Sequence, residues 1–158
     1  MLYNSLIYSH LSYGILLWGS TFQTYLNMIR TMQKRALRYT VHAPYNSPTK
    51  PILEEFRILE LTNIYKFHLG KYMFLQLNEL LPKPLKREYA FNRDIHSHNT
   101  RQCDILHKST RRTVLVGNSF MFKGPDYWNN LPDEIRDCLT IEHFTKKHKF
   151  HLLNGQKM

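Results

Sequence analysis

Carboxylates are missing from the first third of the chain. Residues 1 to 53 contain Arg30, Lys34, Arg35, Arg38 and Lys50 but neither Asp nor Glu. Cysteine is scarce as well: Cys103 and Cys138 are the only two, too few to staple 158 residues, so a reducing compartment fits. No apolar run approaches the roughly 20 residues of a membrane span. The most apolar stretch, Ile7 to Trp18, is broken by Ser9, His10, Ser12, Tyr13 and Gly14. It is no signal peptide either, because the first Lys or Arg is Arg30 and no cationic segment precedes it.

The chemistry-bearing motifs are lacking too. There is no G-x-S-x-G elbow for a serine nucleophile and no G-K-[ST] for a phosphate loop. Phosphodiester chemistry with two divalent ions about 4 Å apart needs paired carboxylates to hold them. The acids Asp133, Glu134 and Asp137 follow Pro132 instead, where they suit the positive end of a helix dipole. The sequence therefore predicts no enzyme and no cofactor. One metal-like group, His96, His98, Cys103 and His107, has ligands of the right softness for zinc. Its spacing matches no zinc module, and a solvated cluster is the simpler reading.

What is present is apolar and basic. The hydrophobic fraction is 42%, with nine Phe, ten Tyr and two Trp, which argues against disorder. A domain of this length buries roughly two-thirds of its unfolded surface. The net charge of +10 points to a polyanionic partner, RNA or DNA, and the short apolar stretch argues against a membrane.

The expected fold is mainly α, a small helical domain. Thr21 is expected to cap a helix to about Val41, with Phe22, Tyr25, Leu26, Ile29, Ala36 and Leu37 facing inward and Gln33 needing a buried partner. Pro51 opens a short helix through Phe56. Thr62 is expected to cap a helix to about Leu80, with Ile64, Phe67, His68, Tyr72 and Leu75 inside. Residues 83–112 read as an irregular basic segment, with nine basic residues against Glu88, Asp94 and Asp104 from Lys83 to Lys123. Thr113 to Val116 and Ser119 to Phe122 suggest a short β-hairpin around Gly117-Asn118, within 113–122. Pro125 and Pro132 suit first helical turns, and Thr140 caps a last helix to about Leu153. Composition divides the chain into 1–82 and 83–158, expected to pack as one unit.

The strongest candidate for contact is the row Arg30, Lys34 and Arg38, repeated every four residues, with Arg35 further round the helix. Such a ridge can track a phosphate backbone, and no acid sits at i±4 to neutralise it. The competing reading is a solvated helix face. Arg101, Lys108, Arg111 and Arg112 form a looser second group, equally readable as a soluble loop. Trp18, Trp128, Phe120 and Tyr127 can be read as base-stacking platforms or, more simply, as core.

Four motifs occur in order: Tyr13-Gly14-Ile15-Leu16-Leu17-Trp18-Gly19; Gln33-Lys34-Arg35-Ala36-Leu37-Arg38; His98-Asn99-Thr100-Arg101; and Gly124-Pro125-Asp126-Tyr127-Trp128-Asn129-Asn130-Leu131-Pro132-Asp133-Glu134-Ile135-Arg136. The series resembles the C-terminal region of reverse transcriptases from non-LTR retrotransposons of the LINE and jockey type, from about Leu6 to Leu153. The resemblance implies a thumb-like, post-polymerase segment of an RNA-directed DNA polymerase that helps hold template RNA and target DNA. It also implies that the metal-binding aspartates lie in an upstream palm, and that the partners are nucleic acid and those upstream domains. Nucleus and cytoplasm are the compartments it implies. No catalytic residue carries over, and the Cys/His knuckle of some such elements has no counterpart. Met1 begins almost inside an apolar helical pattern, so a fragment of a longer protein is expected. The oligomeric state is left open.

Overall fold

The structure is a computed structural model that describes residues 2–95, 103–108, 110 and 113–157. It is mainly helical, as expected. Among the described residues, five helices have six or more residues: α1 (Gln23–Thr40), α2 (Lys50–Glu55), α3 (Leu61–Leu77), α4 (Phe120–Asn129) and α5 (Ile141–Lys157). Shorter helical turns lie between them. By packing, the chain divides into Met1–His68 with His148–Met158, and Leu69–Lys147.

The first unit packs Tyr3, Leu37, Ile52, Leu53 and Ile58 into one core, against which Ile7, Tyr8, Val41 and Ala43 rest. Its apolar N-terminal run is not one helix. A π-helical turn (Asn4–Tyr8) and a short α-turn (Ser9–Ser12) stop at Gly14, whose φ of 58° is left-handed and open to glycine at little cost. Trp18 Nε1 donates to Tyr13 O across this break at 2.9 Å. A Cβ on Gly19 would lie 2.5 Å from both Ile15 O and a Tyr65 ring carbon, so the second glycine of this motif is set by close approach.

Helix α1 begins one residue later than expected. Phe22, not Thr21, occupies its N-cap and no side chain caps it. Its buried line runs through Gln33 and Leu37, which leaves Phe22 and Tyr25 exposed instead of inside. Gln33, 2% exposed, is fully employed. Its Nε2 donates to Tyr3 Oη (2.8 Å) and Leu59 O (3.0 Å), and its Oε1 accepts from Leu61 N (2.9 Å).

That last bond explains why Thr62 does not cap α3. Helix α3 starts at Leu61, and its orphan N–H groups are met by glutamines from elsewhere: Leu61 N by Gln33, and Glu60 N by Gln156 Oε1 at 2.9 Å. The Thr62 hydroxyl is occupied by Arg30. Nor does α3 have the single inner face expected of it. It buries Leu61, Ile64, Tyr65, Leu69, Met73, Phe74 and Gln76, while Phe67, His68, Tyr72 and Leu75 are half-buried. A helix apolar on most of its circumference gives periodicity little to report.

Helices α1, α2 and α3 end alike. His42, Arg57 and Glu79 have φ of 55°, 50° and 55°. After each, the next residue's N–H reaches back five residues: Ala43 to Arg38 O, Ile58 to Leu53 O, and Leu80 to Leu75 O, all at 2.9 Å. These are Schellman closures with a side chain where glycine is usual.

The second unit has its own core of Met73, Phe74, Leu106, Trp128, Leu131, Ile135, Cys138 and Phe144. Phe144 stacks on Phe74 (4.7 Å between centroids) and on Trp128 (5.8 Å). Gly124 lets α4 approach α3 here, since a Cβ would sit 2.6 Å from Met73 Sδ. An isolated antiparallel bridge joins Phe91 to Leu106, and Asn129 clasps the Leu106 backbone with Nδ2 to O (2.9 Å) and N to Oδ1 (3.0 Å).

The hairpin expected within 113–122 is corrected to helix. Val114–Gly117 is one helical turn, and Ser119 Oγ then caps α4 by accepting from Met121 N at 3.2 Å. A type I′ turn needs positive φ at both central residues, and neither Gly117 nor Asn118 has it. Pro125 lies inside α4 rather than in a first turn, whereas Pro132 occupies the N-cap of the turn Asp133–Arg136. Thr140 caps α5 as expected, accepting from His143 N (3.3 Å), and the helix runs past Leu153 to Lys157.

Candidate nucleic-acid interface

The predicted cationic row lies on α1, but its members are not equally available. Arg30 is turned inward. Its Nε lies 3.0 Å from Glu60 Oε1, Nη2 donates to Thr62 Oγ1 (2.6 Å) and Nη1 to Asn27 Oδ1 (3.0 Å). With both partners of the ion pair about two-thirds buried or more, this is an internal tie that a phosphate would have to break. No acid sits at i±4 along α1, but Glu60 arrives from the segment before α3 and pairs with Arg30.

Arg38 is half-buried and donates Nε to Ser47 O at 2.8 Å, which pins the loop after α1. Lys34 is half-buried at a cleft that also contains Lys50, Glu54 and Glu60. Arg35 alone of the four is exposed. Its guanidinium reaches Tyr45, with Nη2 donating to the hydroxyl at 3.3 Å and Cζ 5.9 Å from the ring centroid. Tyr45 is itself exposed, so the pair presents a cation and an aromatic face together.

The exposed side of α1 also carries a line of large apolar residues, beside the polar Gln23, Thr24, Asn27 and Thr31. Tyr25, Met28, Met32 and Tyr39 recur at spacings of three, four and seven residues, and each is at least 58% exposed. This line, which includes Arg35, is one that sequence patterning placed partly inside.

Arg101, Arg111 and Arg112 of the second basic group lie outside the described residues, as do His96 and His98. Lys108 is paired with Asp126 at 2.8 Å. Among the described residues no group of three or more His, Cys, Asp or Glu is placed to hold a metal ion. His107 Nδ1 instead faces Asn92 Oδ1 at 3.2 Å. Of the aromatics considered for stacking, Trp128 is core, Phe120 sits edge-on against Tyr72 at 5.2 Å, and burial raises the Tyr127 hydroxyl pKa strongly.

Helix α5 carries further cations, which the charge pattern of the two basic blocks passes over. Lys146, Lys147 and Lys149 are exposed there, with His143 and His151, against Glu142 as the helix's one acid. Three lysines in four positions were the available signal. No helix among the described residues is long and apolar enough to cross a membrane. No family model, curated protein or solved structure matches the chain.

Proposed function

We propose that the chain is a non-catalytic, mainly helical segment that contacts the backbone of RNA or DNA, in the manner of the C-terminal region of a non-LTR reverse transcriptase. The observation that carries this reading is the acid-free first 53 residues, with Arg35 exposed on α1 beside Tyr45. A cation free of carboxylates and an adjoining ring suit a sugar–phosphate strand with unpaired bases. The kinship rests on the order of the four sequence motifs. Arg35 and Lys34 are the favoured contacts on α1, with Arg30 and Arg38 acting mainly as ties. Arg101, Arg111 and Arg112 remain part of the proposal on sequence grounds. Fluorescence anisotropy with single-stranded RNA and duplex DNA across a salt series tests it. Log K should fall linearly with log salt, and a flat response would rule the reading out.

A second reading is favoured by the exposed Tyr25, Met28, Met32 and Tyr39. A monomer rarely leaves such a line bare, so this face of α1 would pack on the upstream polymerase domains without touching nucleic acid. That reading expects the isolated chain to aggregate and a supplied polymerase domain to restore solubility. It also expects Met28→Glu with Met32→Glu to cure aggregation.

A further inference from the structure

The first unit contains a cleft of about 370 Å³ in which Tyr8, Phe56 and Phe67 supply aromatic walls, Asn4 an amide, and Arg57 and Lys149 two positive charges. Arg57 and Lys149 are 92 positions apart in sequence, and each is exposed. Among the described residues neither is in an ion pair, and no carboxylate lines the cleft. Two other clefts differ in this respect. The one bounded by Arg87, His107 and Lys108 also contains Glu88 and Asp126, with Lys108 and Asp126 paired at 2.8 Å. The one beside Lys34 and Lys50 contains Glu54 and Glu60. Of the three, the cleft at Arg57 alone brings two uncompensated cations to a set of rings.

The chemistry narrows the ligand. Two cations without a counter-charge favour an anion, and an arginine with a lysine suits phosphate: the guanidinium can take two oxygens at once and the ammonium acts as a point charge. Bare phosphate would leave the aromatic walls unused. An uncharged aromatic would leave the cations unmet. The volume is of ligand-site size. We propose that this cleft binds the base and phosphate of a single nucleotide, with the base against Tyr8, Phe56 and Phe67 and the phosphate between Arg57 and Lys149. The nucleotide is either free or one unpaired unit of a strand. The site shares no residue with the cationic row on α1, so it stands or falls separately from the role proposed for that row.

Arg57 also provides a clean test. It sits at the left-handed closing position of α2, φ 50°, where glycine is the more comfortable residue. Arg57→Gly therefore deletes the cation while relaxing the backbone, and lost binding cannot be put down to lost folding. Isothermal titration of the full chain with adenosine monophosphate, inorganic phosphate and adenosine separately should show the monophosphate binding at least tenfold tighter than either part. Arg57→Gly should weaken it tenfold or more with no fall in melting temperature, and Lys149→Gln and Phe56→Ala should each weaken it several-fold. Lys71→Gln, at an exposed residue outside both the cleft and the α1 row, should leave it unchanged. Competition by an oligoadenylate would identify the strand as the source of the nucleotide, and its absence would identify the free nucleotide. The proposal is overturned if phosphate binds as tightly as the monophosphate, if Arg57→Gly binds like the wild type, or if neither monophosphate nor oligoadenylate binds at millimolar concentration.

Discussion

Tyr89 donates its hydroxyl to the carbonyl of Met121 at 3.4 Å, and Met121 is the residue whose carbonyl Pro125 leaves without a helical partner. Proline inside a helix removes the N–H that would bond four residues back. In α4 a tyrosine from the segment after α3 fills that gap, and burial raises its pKa strongly. The gap and its filling should be energetically linked. Tyr89→Phe is expected to cost about 1 kcal/mol by urea denaturation, as for the loss of a partly buried hydrogen bond. In a Pro125→Ala background, where a backbone N–H is restored, the same change should cost clearly less. Equal costs in both backgrounds would show that the two residues are not coupled.

Gln33 ties three segments together through Tyr3, Leu59 and Leu61. Gln33→Leu keeps the volume roughly and strands the Leu61 N–H, the Leu59 carbonyl and the Tyr3 hydroxyl. A loss of about 3 kcal/mol is expected from the unmet buried groups. A chemical-denaturation midpoint within error of the wild type would contradict this.

His148 is fully buried and stacked on Phe67 at 5.7 Å. Burial, with a smaller contribution from nearby His151, lowers its pKa to about 4, from 6.5 in the unfolded chain. Above pH 6.5 the group is neutral in both states and the fold has its full stability. Between pH 6.5 and 4 only the unfolded chain takes up the proton, so stability should fall by about 3 kcal/mol across that window and level off below it. Denaturation midpoints measured from pH 7.5 to 4 check this. His148→Phe should flatten that part of the profile, and an unchanged slope in the variant would assign the pH dependence elsewhere.

The closures of α1 and α3 should improve with glycine. His42→Gly and Glu79→Gly each relieve a left-handed backbone at a non-glycine residue, and each should stabilise by about 1 kcal/mol. For a chain of this size that is a rise of roughly 2 to 4 °C in melting temperature. A fall in melting temperature would mean that the His42 or Glu79 side chain contributes more than its backbone strain costs.

The helical class was readable because α1 carries apolar periodicity, α2 opens on Pro51 and α5 is capped by Thr140. Gln33 was readable as a buried polar group because it interrupts an apolar stripe. The facing of α1 was not, since Tyr25 and Met28 look as apolar as Leu26 and Ile29, and only tertiary packing chooses between adjacent lines. The hairpin failed for a related reason. Val114, Val116 and Phe122 carry β propensity, but Ser119 caps a helix, and propensity yields to packing and capping. Within the candidate interface, the four α1 cations were legible. Their partners were not: Glu60 and Ser47 come to Arg30 and Arg38 from outside the helix, and no spacing rule reaches that far. Arg57 and Lys149 were illegible as a pair for the same reason.

Whether α1 presents Lys34 and Arg35 to a phosphate backbone decides the proposed function. The direct measurement is the salt dependence of single-stranded RNA binding for the wild type and for Lys34→Gln with Arg35→Gln, with helicity followed by circular dichroism. At unchanged helicity, the slope of log K against log salt should shrink by about 1.4, or roughly 0.7 for each phosphate that the variant no longer neutralises. An identical slope in the double variant would contradict the proposed role of α1.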